Sequence, residues 1–356
     1  LDRRLANEPD EVAKLEAIAN RSTVLSANRM YIATSLRVTD VRLDGLTEEV
    51  RQKLVAPAQT VVISYGRGLS EVSPEALNRF IRALVDRGDE GGAWAALEIL
   101  SMVTHAAKAL SPDLIELVKL ALLSPSIADG VEGNASNADY NYDRMLRLVD
   151  AAGAIDASFA RAFALQIEHA CRTTGGHGGR SSDALRGALS IVIQRAPTEV
   201  WPVLAGFYEI ATRVERERLN TITSATKLFA YDVSRTGAGA LFGTPLKLML
   251  DWVKGDPDAR IGFLLTFFPI LEQKGDTFVW HPALQQLGKL YGSRKRFKDA
   301  MRQRIYPSSW GGSLNAHLTS FKAPLASWTK HRLLGDWASS MLDNVERSLA
   351  ENSYGR

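Results

Sequence analysis

The sequence predicts an all-α protein: a helical-repeat array of the HEAT or armadillo type (an α-solenoid) with a tryptophan-rich helical cap at its C-terminal end. A helix-start pattern, Ser-Pro-Glu at 73–75, returns 38 residues later as Ser-Pro-Asp at 111–113. The spacing of helix starts, about 40 residues per pair, falls in the range of HEAT and armadillo units. Apolar side chains recur at helical spacing, as in Leu77, Phe80, Ile81, Leu84 and Val85.

Each copy of this start combines three features that favour the first turn of a helix. Serine accepts hydrogen bonds from the free amides of that turn, and proline at the first helical position gives up no useful donor. The acidic residue suits the positive end of the helix dipole. A weaker copy at 196–199 and polar caps at Asp156 and Ser182 predict further helices. A non-repeating helical bundle with similar caps is the alternative.

Three domains are predicted: an N-terminal helical segment over 1–70, helix-pair repeats over 71–234, and a C-terminal helical domain over 235–356. The last of these holds five of the seven tryptophans. Residues 124–139, 173–182 and 234–244 are rich in turn formers and predict loops. The one strand-like stretch, Thr60 to Tyr65, fits a buried helix equally well, because it has no partner strand.

Composition narrows the function classes. Of 356 residues, 43 are basic and 40 acidic, a balance too even to indicate nucleic acid without local clustering. The single cysteine, Cys171, excludes an intrachain disulfide and predicts a reducing, cytoplasmic compartment. No apolar run reaches the roughly 18 residues of a membrane helix, so no membrane association is expected.

Complete catalytic or cofactor motifs are absent from the sequence. The glycines at 175–179 and 237–243 differ from phosphate and dinucleotide loops, because no strand precedes either run. His169, Cys171 and His177 lack the spacing of a metal site, and no fourth ligand is evident. We therefore expect no cofactor, no metal and no enzyme. The alternative is an enzyme whose site is assembled from distant residues near the glycine-rich loops.

The strongest charge cluster lies on a predicted helix at 294–304. Arg294 and Lys298 share one face of this helix, as do Lys295 and Arg302. A focused positive face can bind nucleic-acid phosphates or an acidic protein, whereas a solvated surface helix is the plainer interpretation. The cluster contains one acid, Asp299, and six bases: Arg294, Lys295, Arg296, Lys298, Arg302 and Arg304.

A second candidate site is the loop that precedes the next predicted helix. Ser313 is expected to cap that helix, and Trp310 to pack as a wedge beneath the last helices. The glycines at 311 and 312 would let a ligand approach backbone amides at the helix start. The candidate interaction loop consists of Trp310, Gly311, Gly312 and Ser313.

Residues in the last third resemble the C-terminal helical-repeat regions of large bacterial conflict proteins, notably antiphage ATPases of the signal-transduction NTPase class. The resemblance covers 70–350 in general style. It rests on Trp280-His281-Pro282, Trp310-Gly311-Gly312-Ser313-Leu314, His331 and Trp337-Ala338. In that family a W-x-G-S loop is followed by a helix and by a terminal helix with a Trp-Ala pair. The motifs are structural and the ATPase motifs are missing, so the resemblance implies a sensor or scaffold part without catalytic residues.

The leading hypothesis is a non-catalytic helical scaffold or sensor that binds a protein partner in bacterial antiphage defence. The start at Leu1 without methionine indicates a trimmed chain or a piece of a larger polypeptide, and in the second case we expect the partner to be a missing flanking domain. The first alternative is a nucleic-acid-binding repeat protein that uses the basic helix at 294–304. The second is the enzyme described above.

Overall fold

A computed structural model describes residues 38–64, 72–88, 91–105, 110–125, 135–173, 182–210, 245–267, 270–307 and 312–354, and the single residues 14, 69, 127 and 214. These residues are mostly helical, as predicted, with one short β-hairpin. Contacts divide the chain into two compact units, Leu1–Leu219 and Asn220–Arg356. The boundary predicted from the sequence lies at 235. None of the helices in the described ranges has the length and apolar character needed to cross a bilayer.

Within its described residues the first unit consists of helices and the loops that join them. Its helices are α1 (Asp40–Arg51), α2 (Pro57–Ser64), α3 (Pro74–Asp86), α4 (Gly92–Val103), α5 (Pro112–Leu122), α6 (Ala135–Ala151), α7 (Ala157–Thr173), α8 (Ser182–Arg195) and α9 (Pro197–Ile210). The predicted loop at 124–139 is wrong at its C-terminal end, since α6 already begins at Ala135.

The predicted helix starts are confirmed by their hydrogen bonds. The Ser73 hydroxyl accepts the Ala76 amide at 3.2 Å, and the Ser111 hydroxyl accepts the Leu114 amide at 3.4 Å. Both prolines occupy the first helical turn. The strand-like stretch from Thr60 is the second half of α2, so the helical alternative for it holds.

Helices of the first unit pack against their second neighbours as well as against adjacent helices. Among the odd-numbered helices, which we call the odd series, α1 contacts α3, α3 contacts α5, and α7 contacts α9. Among the even-numbered helices α2 contacts α4, α4 contacts α6, and α6 contacts α8. Buried rings join three helices: Tyr142 of α6 lies 6.3 Å from Trp94 of α4 and 6.1 Å from Phe163 of α7, between ring centroids.

Side-chain hydrogen bonds link the same second neighbours. The residues they join are separated by 35 to 45 positions in sequence. Lys119 also lies 5.7 Å over the Phe159 ring, which extends the odd series from α5 to α7. The linked residues are Arg79 with Asp44, Lys119 with Asp156, Gln166 with Ser124, Arg144 with Ser101 and Thr104, and Arg195 with Asp150.

The second unit combines helices with the hairpin. Its elements are α10 (Leu246–Gly255), α11 (Pro257–Phe267), β1 (Leu271–Lys274), β2 (Thr277–Trp280), α12 (Pro282–Tyr291), α13 (Lys295–Ile305), α14 (Leu314–Ser320), α15 (Lys322–Trp328) and α16 (Gly335–Tyr354). The hairpin was not predicted from the sequence; its turn is the dipeptide Gly275-Asp276, with φ +59° at the glycine. Such turns favour glycine because they need a positive φ.

An aromatic core holds the hairpin against the helices of the second unit. Trp280 at the end of β2 stacks on Trp328 of α15, with ring centroids 4.3 Å apart. Phe321 lies 6.1 Å from Trp280 on another side. Gly288 of α12 lets this cluster approach closely, since a Cβ there would lie 3.3 Å from the Trp328 ring and 3.2 Å from Leu334.

Candidate functional site

The predicted basic cluster lies on α13 and at its N-terminal cap. Phe297, Met301 and Ile305 are buried and fix one face of α13 against the second unit. Helix α13 packs on α11. The remaining faces, which carry the basic residues, are therefore oriented by packing rather than by the charges themselves.

Two of the six bases are engaged in the fold. Arg294 is the N-cap residue of α13, and its guanidinium donates to Asp258 at the start of α11, at 2.8 Å. Arg304 is partly buried, and desolvation lowers the pKa of its guanidinium from the usual value. Neither side chain is therefore freely presented to a ligand.

The other four bases form no ion pair with a residue in the described ranges. Lys295, Lys298 and Arg302 are spaced i, i+3, i+7 and share one face, which we call the basic stripe. Arg296 is exposed on a different face. Three of the four bases without an ion pair among the described residues therefore lie on one face of α13.

The candidate interaction loop is described only in part. Trp310 and Gly311 lie outside the described residues. Gly312 has φ +109°, and the Ser313 hydroxyl accepts the Ala316 amide at 3.2 Å. The predicted cap at Ser313 is therefore confirmed.

The residues named for the enzyme alternative are mostly outside the described part of the chain. This applies to both glycine runs, at 175–179 and 237–243, and to the side chains of Cys171 and His177. Within the described ranges no three His, Cys, Asp or Glu side chains come close enough to hold a metal ion.

Two histidines of the second unit have structural partners. His281 Nδ1 accepts the Ala283 amide at 3.2 Å and thereby caps α12. His317 Nε2 lies 3.0 Å from the Ile305 carbonyl. Burial lowers the pKa of both imidazoles below the usual histidine value. Both side chains hold helix ends.

A groove between β2, α12 and α15, which we call the hairpin groove, was not predicted from the sequence. Its volume is about 530 Å³. Gln285 on its wall donates to the Trp280 carbonyl at 3.0 Å. The lining residues are Thr277, Phe278, Val279, Trp280, Gln285, Lys289, Ala323, Pro324, Ser327, Trp328 and His331.

The hairpin groove is apolar along its walls and positive at one residue. Lys289 is the charged side chain of the lining, which contains no acid. His331 Nδ1 accepts the Leu333 amide at 3.2 Å, which leaves Nε2 as the donor of the ring. The groove therefore presents hydrogen-bond donors beside aromatic surface. The tryptophans alone could not reveal it, because it is assembled from three separate elements.

No protein-family model, curated protein or solved structure matches this chain. The likeness to conflict proteins at 280–338 stays a prediction.

Proposed function

We propose that the chain is a non-catalytic helical scaffold that binds a protein partner, and that its first unit is an α-solenoid of the HEAT type. The observation that carries the proposal is the packing of helices on their second neighbours, with polar links 35 to 45 residues apart in sequence. In a repeat array each pair contacts only adjacent pairs, so that a long surface stays open for recognition.

Exposed side chains of the first unit give this surface groups suited to protein contacts. Tyr140 of α6 is 61% exposed and Leu165 of α7 is 43% exposed. Tyrosine is enriched among the residues that dominate binding energy at interfaces. A bacterial defence setting is part of the proposal, and it rests on the resemblance at 280–338.

Site-specific photocrosslinking tests the proposal. A photoreactive amino acid at Tyr140 or Leu165 is expected to capture one protein in stoichiometric amount, from uninfected or phage-infected bacterial cells. The same group at Val149, which is fully buried in α6, is the negative control. Absence of a stoichiometric product under both conditions would contradict the proposal.

The second candidate function is nucleic-acid binding by the basic stripe. The observation in its favour is that Lys295, Lys298 and Arg302 share one face of α13 without an ion pair among the described residues. Each phosphate contact contributes about −0.9 to the slope of log affinity against log salt. Duplex and single-stranded oligonucleotides should bind, and K298E with R302E should reduce that slope by about two.

A matched control separates the stripe from net charge. Lys330 and Arg332 are exposed and lie outside α13. K330E with R332E changes the net charge equally, so it should leave the salt slope of a stripe-bound oligonucleotide almost unchanged. Equal effects of the two double variants would contradict a specific role for the basic stripe.

A further inference from the structure

We propose that the hairpin groove binds an extended peptide that adds as a third strand to β2 and carries a carboxylate recognised by Lys289. The site lies in the second unit and goes beyond the proposed function, which rests on the helices of the first unit.

The pairing register of the hairpin shows which backbone groups are already used. Lys274 pairs with Thr277 and Glu272 with Val279 across the two-residue turn. In antiparallel strands, hydrogen-bonded pairs alternate with non-bonded pairs. The His281 amide donates to the Ile270 carbonyl at 3.0 Å, which continues the bonded series by one step.

The residues between these bonded pairs direct their amide and carbonyl groups away from β1. In β2 these are Phe278 and Trp280. The Trp280 carbonyl accepts a hydrogen bond from Gln285. The Phe278 amide, the Phe278 carbonyl and the Trp280 amide have no partner among the described residues. Unpaired groups in a row are a template for another strand.

The hairpin groove runs along this unpaired edge. All four residues of β2, Thr277 to Trp280, line it. Successive side chains of a strand point to opposite faces, so a cavity that touches four in a row follows the edge of the backbone. Ala323, Pro324, Ser327 and Trp328 of α15 form the opposite wall. Strand addition beside a helix combines backbone pairing with pockets for alternate side chains.

The lining defines the chemistry of the peptide. Phe278 is partly exposed and offers apolar surface to a side chain of an extended segment, and the buried Trp328 and Pro324 lie on the opposite wall. Lys289 contributes a positive charge in a lining without acids, and the His331 Nε2 proton is a further donor. A carboxylate satisfies both, whether it is an acidic side chain or the C-terminus of the peptide.

The test uses the full-length chain and a library of seven-residue peptides with either free or amidated C-termini. Selected peptides are expected to bind with dissociation constants in the micromolar range. N-methylation at alternate residues of a selected peptide removes donors to the Phe278 carbonyl and should abolish binding. Amidation and Asp-to-Asn replacement in the peptide identify the source of the carboxylate.

Protein variants test the same contacts from the other side. K289Q should weaken binding about tenfold, whereas K274Q, an equal charge change on β1 outside the groove, should not. In amide exchange by NMR, Phe278 and Trp280 should gain protection when peptide binds, because their amides become donors. Absence of any binding peptide, or peptide binding without added protection at both amides, would overturn the proposal.

Discussion

Replacing Arg144 by methionine removes a polar link between two second-neighbour helices. The Arg144 guanidinium donates to the Ser101 carbonyl and hydroxyl, both at 2.9 Å, and to the Thr104 carbonyl at 2.6 Å. Arg144 lies on α6, and the acceptors lie at the C-terminal end of α4. Methionine keeps most of the packing of the arginine stem but donates no hydrogen bond.

R144M should destabilise the end of α4, because the Ser101 and Thr104 oxygens lose their hydrogen bonds to the guanidinium. Carbonyls in the last turn of a helix lack partners within the helix, and Ser101 and Thr104 are only 6% and 1% exposed. A hydrogen bond to a charged group contributes about 1.5–3 kcal/mol, and a cation at a helix C-terminus about 0.3–1 kcal/mol. Because Arg144 is only partly buried, we expect R144M to cost about 2–3 kcal/mol in local stability.

Hydrogen exchange measured by mass spectrometry is the assay. Amides at the end of α4 should exchange about 30- to 150-fold faster in R144M, since each 1.4 kcal/mol is tenfold in an opening equilibrium. The control is R147M on the same helix, which removes an exposed ion pair with Asp143 and should cost under about 0.5 kcal/mol. Similar exchange in the two variants would refute a stabilising link between α4 and α6.

Two further predictions concern a helix cap and a close approach. A hydrogen bond from Lys119 holds the pKa of the Asp156 carboxyl well below its usual range. The ionised carboxylate therefore stabilises the fold fully at pH values above the pKa of an unfolded aspartate, about 3.9, and this stabilisation is lost as the pH falls through the folded pKa. D156A should therefore lower the free energy of unfolding, measured with urea at pH 7, by about 1 kcal/mol. The difference in free energy between D156A and the unmodified protein should shrink below about pH 4. A difference that does not change with pH would contradict a role for the charge of Asp156. G292A would place its Cβ 2.8 Å from Leu334 Cγ and should cost about 1–3 kcal/mol. G262A, with nothing within 4 Å of the new Cβ, should stabilise the protein by about 0.5–1 kcal/mol. Equal thermal stability of G292A and G262A would contradict the close approach of Gly292 to Leu334.

The helix starts could be predicted because capping is local chemistry. Ser73 and Ser111 each bond an amide three residues later, so the sequence pattern contains both partners. The hairpin could not be predicted with the same ease. Its second strand, Thr-Phe-Val-Trp at 277–280, has residues that favour strands, but its first strand, Leu-Glu-Gln-Lys at 271–274, has no β-branched or aromatic residue.

The candidate sites likewise have features that are visible in the sequence and features that depend on packing. The basic residues of α13 are visible as a run in the sequence, but the partner of Arg294 is Asp258, 36 residues earlier. That pair depends on how α13 packs on α11, and the partial burial of Arg304 likewise follows from packing that the run of bases does not reveal. The hairpin groove depends on packing even more, because β2, α12 and α15 must all be in place before a cavity exists.

Carbodiimide coupling of Lys119 tests helix stacking in the first unit most directly. Lys119 Nζ lies 2.8 Å from Asp156 at the start of α7 and 3.4 Å from Glu116 on its own helix. The Glu116 link requires only that α5 is a helix, so it is an internal control. Stacking predicts that peptide mass spectrometry finds both links in the native protein, and that D156N retains only the link to Glu116. Coupling to Glu116 alone in the native protein would contradict the stacked array.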